Sequence, residues 1–178
     1  MKWDFTMIQH IFLTGKKHIG KSTLIQKILD DYKKTADGFL TVRTKDYLKD
    51  QYSVHMYHLK EKEFPNESNL LFLCGKKDEH TADTFDRLGC NILSMCSDCS
   101  LIVMDELGPH EADAALFRKK ILNLLDGQTP ILGVLQEPAE SFWPEIVNHT
   151  KVEIITISED NRNDRALLNY IQCKISSP

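Results

Sequence analysis

The chain has 178 residues, of which 42% are apolar and 27% charged, and carries a formal net charge of −4. That length suits one α/β domain with a proper core and is too short for two comfortable ones. The acidic balance, with no Lys/Arg block, argues against a nucleic-acid partner held by bulk charge.

Residues 1–9 carry little information. The apolar stretch 7–13 is interrupted by Gln9 and His10, is too short to span a membrane and runs into a glycine loop. The expectation is a cytoplasmic protein without signal or anchor and with no membrane partner. Residues 10–13 read as a buried strand. The strand breaks at Gly15, and after four intervening residues Gly20, Lys21 and Ser22 open an amphipathic helix with apolar Leu24, Ile25, Ile28 and Leu29, running to about Lys34. Strand, glycine loop and helix with the spacing G-x-x-x-x-G-K-S form a phosphate-binding P-loop.

The chemistry explains the spacing. Gly15 and Gly20 permit turns that a Cβ would obstruct. The N–H groups of Lys16, Lys17, His18 and Ile19 then turn inward as an anion nest, and the helix adds unpaired N–H groups and the positive end of its dipole. Lys21 is placed for the β- and γ-phosphates, Ser22 for Mg²⁺, and Thr23 for the α-phosphate. The competing reading is a Gly-Lys turn that merely caps a helix; the strand before and the helix after favour the P-loop.

A break follows at residues 35–38, with Gly38 in a turn role. Residues 39–44 read as a strand, 45–51 as a hairpin connection, and 53–59 as an antiparallel strand with Val54 and Met56 on one face. His55 and His58 on that strand point to opposite faces and make a poor chelate. Residues 60–69 read as a loop, 70–74 as a strand and 75–80 as a polar connection. From Thr81, a plausible cap, the positions Phe85, Leu88, Ile92, Met95 and Cys96 recur at helical steps. Gly89 weakens that helix by ~1 kcal/mol relative to alanine.

Residues 100–108 are the second informative stretch. An apolar run ends in Asp105 and Glu106, then Leu107 and Gly108. Such a run fits a parallel strand covered on both faces, with the acids at its carboxyl end, where open α/β sheets bind ligands. This is the pattern of a Walker B strand: Asp105 is expected to hold Mg²⁺, largely through water, and Glu106 to orient or deprotonate the attacking water. Two solvated acids at an element end are the competing reading, and the P-loop upstream weighs against it. Residues 111–125 then read as one helix ended by Gly127, 130–136 as a buried strand, 142–149 as a short helix, 151–158 as the last core strand, and 161–175 as the closing helix. Alternating strands and helices imply parallel βαβ units, with 38–74 as an antiparallel extension.

Five cysteines, Cys74, Cys90, Cys96, Cys99 and Cys173, do not read as a secreted disulfide framework. Cys96 and Cys99 form a C-x-x-C with Cys90 upstream, a metal or redox spacing. No second C-x-x-C and no suitably spaced histidine completes a zinc site, so buried cysteines are the favoured reading.

The P-loop 15–23, the Gly38, Phe39 and Thr41 positions, the 103–108 run with Glu111, and the 156–163 run with Asn161, Arg162 and Asn163 together resemble the small nucleoside-triphosphatase family that includes the cancer-related nucleoside-triphosphatase. The resemblance spans nearly the whole chain and is weakest over 44–95. It implies a single RecA-like P-loop domain over residues 1–178 that hydrolyses ATP, GTP and other nucleoside triphosphates with Mg²⁺, slowly and with little base preference. By position it implies phosphate and Mg²⁺ roles for Lys21 and Ser22, the Walker B pair for Asp105 and Glu106, and a nucleotide contact for Arg162. The chain departs from the family where Lys16, Lys17, His18 and Ile19 replace a proline and a third glycine, and where residues after Phe39 are poor in glycine and arginine.

Two other functions compete with hydrolysis. A nucleoside, nucleotide or small-metabolite kinase shares the P-loop, but its arginine-rich lid is missing: Arg43, Arg87 and Arg118 are scattered, and only Arg162 and Arg165 lie close together. A nucleotide-sensing partner module would expose apolar surface in 44–80. Within the hydrolase reading, Lys16, Lys17 or His18 is a candidate for a charge facing the γ-phosphate. No Asn-Lys-x-Asp motif reads guanine.

Overall fold

The computed structural model describes residues 8–61, 64–76 and 79–176. Most of the lead-in, including Met7, and short pieces of the two connections around 62 and 77 lie outside the described residues. Among those described, a seven-stranded sheet runs in the order β4-β3-β2-β5-β6-β1-β7. The strands are β1 (His10–Thr14), β2 (Ala36–Leu48), β3 (Gln51–His58), β4 (Leu70–Leu73), β5 (Leu101–Leu107), β6 (Ile131–Leu135) and β7 (Val152–Thr156). From β2 to β7 the neighbours are parallel, and β3 and β4 add antiparallel strands beyond β2.

The helices are α1 (Lys21–Asp31), α2 (Thr81–Met95), α3 (Pro109–Ala112), α4 (Ala115–Leu125), α5 (Ala139–Phe142), α6 (Pro144–Val147) and α7 (Arg165–Ser176). They cover both faces of the sheet. Strand alternation splits β1 between the layers: Ile11 and Leu13 face α1 and α7, while Phe12 faces the layer holding Phe85 of α2, Phe117 of α4 and Trp143. On α1, Leu24, Ile25 and Ile28 are buried at helical spacing, each contributing about 1.5–3 kcal/mol of transfer free energy. This arrangement is the mostly parallel, helix-covered sheet with an antiparallel extension that the chain order implies.

Several boundaries differ from the sequence reading, each for a local reason. Helix α1 stops at Asp31, because Tyr32 turns to an extended conformation. Strand β2 is longer than 39–44; its antiparallel partner β3 carries the ladder to Leu48, so most of the expected hairpin connection is strand. Thr81 is the first helical residue of α2 rather than its cap. The expected helix 111–125 is broken at Asp113 and Ala114, and the expected helix 142–149 shrinks to α6, opened by Pro144, with α5 a separate turn ending at Phe142. The closing helix starts at Arg165, not near 161. Gly89 does more than weaken α2: a Cβ there would meet the Phe117 ring at 2.3 Å, so its absence lets α2 approach α4.

The cysteines and strand histidines have partners of their own. Cys96 and Cys99 are buried in the core, and the Cys99 thiol donates to the Cys96 carbonyl at 3.2 Å. His55 contacts the Asn69 side chain and the Ser53 hydroxyl, each at 2.8 Å. Nε2 of His58 lies 2.8 Å from Asp37, a buried carboxylate that also accepts from Lys60 at 2.6 Å.

Candidate active site

The site forms where β1, β5 and β6 end together. Gly15 leaves β1 at φ 134, and a Cβ on it would sit 2.4 Å from the Ile157 carbonyl; only glycine permits that approach. The loop then circles to Gly20, which caps α1 in a left-handed conformation without a side chain of its own. His18 also lies in the left-handed region, at φ 65, an uncommon place for a residue with a Cβ. The loop is cross-braced from inside. The Lys21 ammonium, almost fully buried, donates to the carbonyls of Gly15 at 2.7 Å and Lys16 at 3.1 Å.

A cavity of about 660 Å³ opens beside the loop. Its floor is Gly20, Lys21, Ser22 and Thr23, with Lys17 and His18 at the rim. Glu106 and Glu111 border it from the end of β5 and from α3, and Gln136 from the end of β6. Thr41 and Arg43 of β2 face it from the extension, backed by Val54 and Phe72. The structure therefore gathers Lys17, His18, Gly20, Lys21, Ser22, Thr23 and Glu106 around one space. Asp105 sits just behind, 5% exposed, with its carboxylate accepting from the Ser22 hydroxyl.

Besides Asp105, the expected members Gly15, Lys16, Ile19 and Arg162 do not border the cavity. Ile19 packs its side chain into the core, and its N–H donates to the Lys16 carbonyl. Lys16 is exposed outside the cavity. Arg162 precedes α7 in a turn that Asn161 braces through the Ser158 N–H and the Thr156 carbonyl. It borders a separate hollow of about 390 Å³ against Leu24 and Lys27 of α1.

The carboxylates are electrostatically loaded. Burial pushes Asp105 up to about 6, with the Ser22 hydrogen bond opposing, the Glu106 charge adding to the rise, and Lys21 opposing. Burial also pushes Glu111 up to about 7; its hydrogen bonds with backbone N–H groups, including that of Gly108 at 2.8 Å, oppose the rise. The Ser22 hydroxyl and the Asp105 carboxylate supply two adjoining oxygen donors at a site where a cation relieves a buried negative charge. That set fits Mg²⁺, which takes one or two protein oxygens and completes its shell with water and phosphate.

Sequence reasoning carried Thr41 only as a residue of the family pattern and missed that the β2 side borders the site. The Glu106 N–H donates to the Thr41 hydroxyl at 3.1 Å, and the peptide between Asp105 and Glu106 is cis. Thr41 and Arg43 occupy alternate positions of one strand, which was the available signal, but their distance from the P-loop in sequence hid the match. Glu111 was visible only as a residue of the family pattern; the structure shows it holding the Gly108 turn.

A family model described as NTPase matches residues 10–171. The nucleoside-triphosphatase THEP1 of Thermotoga maritima is 26% identical over 170 residues, 90% of this chain and 92% of that protein. The human cancer-related nucleoside-triphosphatase is 28% identical over 191 residues, 96% of this chain and 99% of that protein. The crystal structure of THEP1 from the hyperthermophile Aquifex aeolicus superposes with a TM-score of 0.72 at 20% identity, over 94% of this chain and 99% of that one, and so shares the fold.

Proposed function

The chain belongs to the NTPase family and is a nucleoside-triphosphate hydrolase, and from that premise we propose that it cleaves the γ-phosphate in a Mg²⁺-dependent reaction with Glu106 as the base. The single observation that carries the reading is the placement of Glu106 on the wall of the P-loop cavity, next to the Ser22–Asp105 pair. Ser22 and Asp105 would hold Mg²⁺, which supplies charge neutralisation on the phosphate oxygens. The loop from Gly15 to Gly20, apart from Ile19 whose N–H is bonded to the Lys16 carbonyl, presents backbone N–H groups to the phosphates, Lys21 exchanges its carbonyl partners for phosphate oxygens, and Thr23 meets the α-phosphate. Water attacks the γ-phosphorus, Glu106 takes its proton, and the nucleoside diphosphate leaves. Lys17 adds positive charge at the rim, beside His18.

Arg162 keeps, in this reading, the nucleotide contact that the family resemblance implies, while its hollow runs along α1 from Leu24 to Lys27, Asp30 and Asp31. Broad base preference is what the family resemblance implies, and the lack of an Asn-Lys-x-Asp motif argues against guanine specificity of the small-GTPase kind. Nothing in the relatives favours transfer to an acceptor other than water. A cytoplasmic setting agrees with the free cysteines, and no described helix is long and apolar enough to cross a membrane.

Glu106→Gln tests the assignment. Turnover should fall by about 10²–10⁴-fold while nucleotide affinity holds. A variant that hydrolyses ATP at the wild-type rate would remove Glu106 as the base.

A further inference from the structure

Strand β2 pairs with β5 only from Ala36 to Leu40, so the rest of it continues past the carboxyl end of β5 and overhangs the site. There its backbone ladder runs with β3, with Thr41 opposite Met56 and Arg43 opposite Val54. Alternate residues of a strand share a face. Thr41 is fixed against the Glu106 N–H, so Arg43 stands one step farther along the same wall, about 7 Å beyond at ~3.3 Å per residue. Both border the cavity, together with Lys21 of the loop.

The setting of the Arg43 guanidinium is specific. It lies over the Tyr52 ring, 3.9 Å from its centre, and makes no ion pair among the described residues. A planar cation resting on an aromatic face is held in orientation while its N–H fork stays available to an anion. Lys45 also stands over Tyr52, at 4.8 Å, but does not border the cavity.

We propose that Arg43 is a second catalytic residue, an arginine supplied in cis by the sheet extension, whose guanidinium contacts the γ-phosphoryl oxygens in the transition state. The inference rests on the hydrolase reading above. As the water oxygen–phosphorus bond forms, the bond from the γ-phosphorus to the β–γ bridging oxygen breaks. Its electron pair leaves with the nucleoside diphosphate, and Glu106 takes the water proton. Arg43 exchanges no proton; it stays charged and donates N–H bonds to oxygens whose charge grows along the reaction. The antiparallel extension thereby has a catalytic use: it carries the charge to the side of the cavity facing the loop. This assigns to β2 the task for which Lys16, Lys17 and His18 were the sequence candidates.

The test compares full-length wild type with Arg43→Ala, Arg43→Lys and Lys45→Ala. Two quantities are read: kcat at saturating triphosphate, and affinity for nucleoside diphosphate with and without aluminium fluoride, which mimics the transferring phosphoryl group. Arg43→Ala should lower kcat by about 10³-fold and weaken the aluminium fluoride complex comparably, with affinity for the diphosphate alone changed no more than a few-fold. Arg43→Lys should recover little, because a point charge lacks the fork. Lys45→Ala should match wild type. Retained kcat in Arg43→Ala, or equal weakening of the diphosphate and aluminium fluoride complexes, overturns the inference. Phosphate release by wild type with an indifferent Arg43 leaves the hydrolase reading standing; no release by wild type overturns both.

Discussion

The backbone N–H of Glu106 donates to the Thr41 hydroxyl at 3.1 Å, tying the end of the central strand β5 to the neighbouring strand where it begins to overhang the site. The bond fixes the main chain from which the proposed base projects. Thr41→Val keeps the shape and removes the acceptor. It should cost about 1 kcal/mol of stability and lower kcat about 10–100-fold through misplacement of Glu106. Denaturant melts and steady-state kinetics check both; an unchanged kcat would detach Thr41 from the catalytic geometry.

His18 holds a left-handed conformation, φ 65, in the glycine loop before α1. The cost of that conformation for a residue with a Cβ is about 1–2 kcal/mol. His18→Gly should therefore be more stable than His18→Ala by about 1 kcal/mol, after glycine's greater unfolded-state entropy is set against it. Thermal melts of the two variants decide this, and equal stability would mean the loop relaxes without strain.

Gly89 sets helix propensity against packing. Alanine is the better helix former by ~1 kcal/mol, yet a Cβ there would meet the Phe117 ring at 2.3 Å, where overpacking costs about 1–3 kcal/mol. Gly89→Ala should be destabilising in urea unfolding; a gain in stability would show that the α2–α4 contact yields easily.

Glu111 gives a pH dependence with a definite sign. Burial raises its carboxyl from 4.5 to about 7, so the folded state favours the protonated form. The stability this contributes is present in full below pH 4.5 and is lost as pH rises through about 7. Glu111→Gln cannot ionise and keeps an acceptor for the Gly108 N–H. Relative to wild type it should gain stability between pH 5 and pH 8, on the order of 3 kcal/mol at 1.36 kcal/mol per pKa unit. Thermal melts of both proteins without nucleotide provide the comparison. The same difference at pH 5 and pH 8 would show that Glu111 does not titrate across that range.

What the sequence shows plainly is what local chemistry determines. The two glycines before Lys21 and the apolar run into Asp105 and Glu106 each lie within a few residues, so spacing alone points to half of the candidate site. Thr41, Arg43, Val54 and Phe72 meet only through the register of β2, β3 and β4, and nothing local in any one strand encodes that meeting. The break before Ala115 is hidden for a related reason. Ala112, Ala115 and Leu116 keep a helical rhythm, while the structure turns Glu111 back onto Gly108 and sends Ala114 into an extended conformation. Arg162 was read at a helix start; Asn161 instead pins it in the preceding turn, a side-chain-to-backbone effect that periodicity does not register.

The central claim is triphosphate hydrolysis at one site built from the loop around Lys21 and the carboxylates of β5. Phosphate release from a panel of ATP, GTP, CTP and UTP, with Mg²⁺ and with a chelator, tests it most directly. The account predicts slow release from all four in the presence of Mg²⁺ and none above background with the chelator. Release that persists undiminished with the chelator, or none from any triphosphate with Mg²⁺, would contradict it.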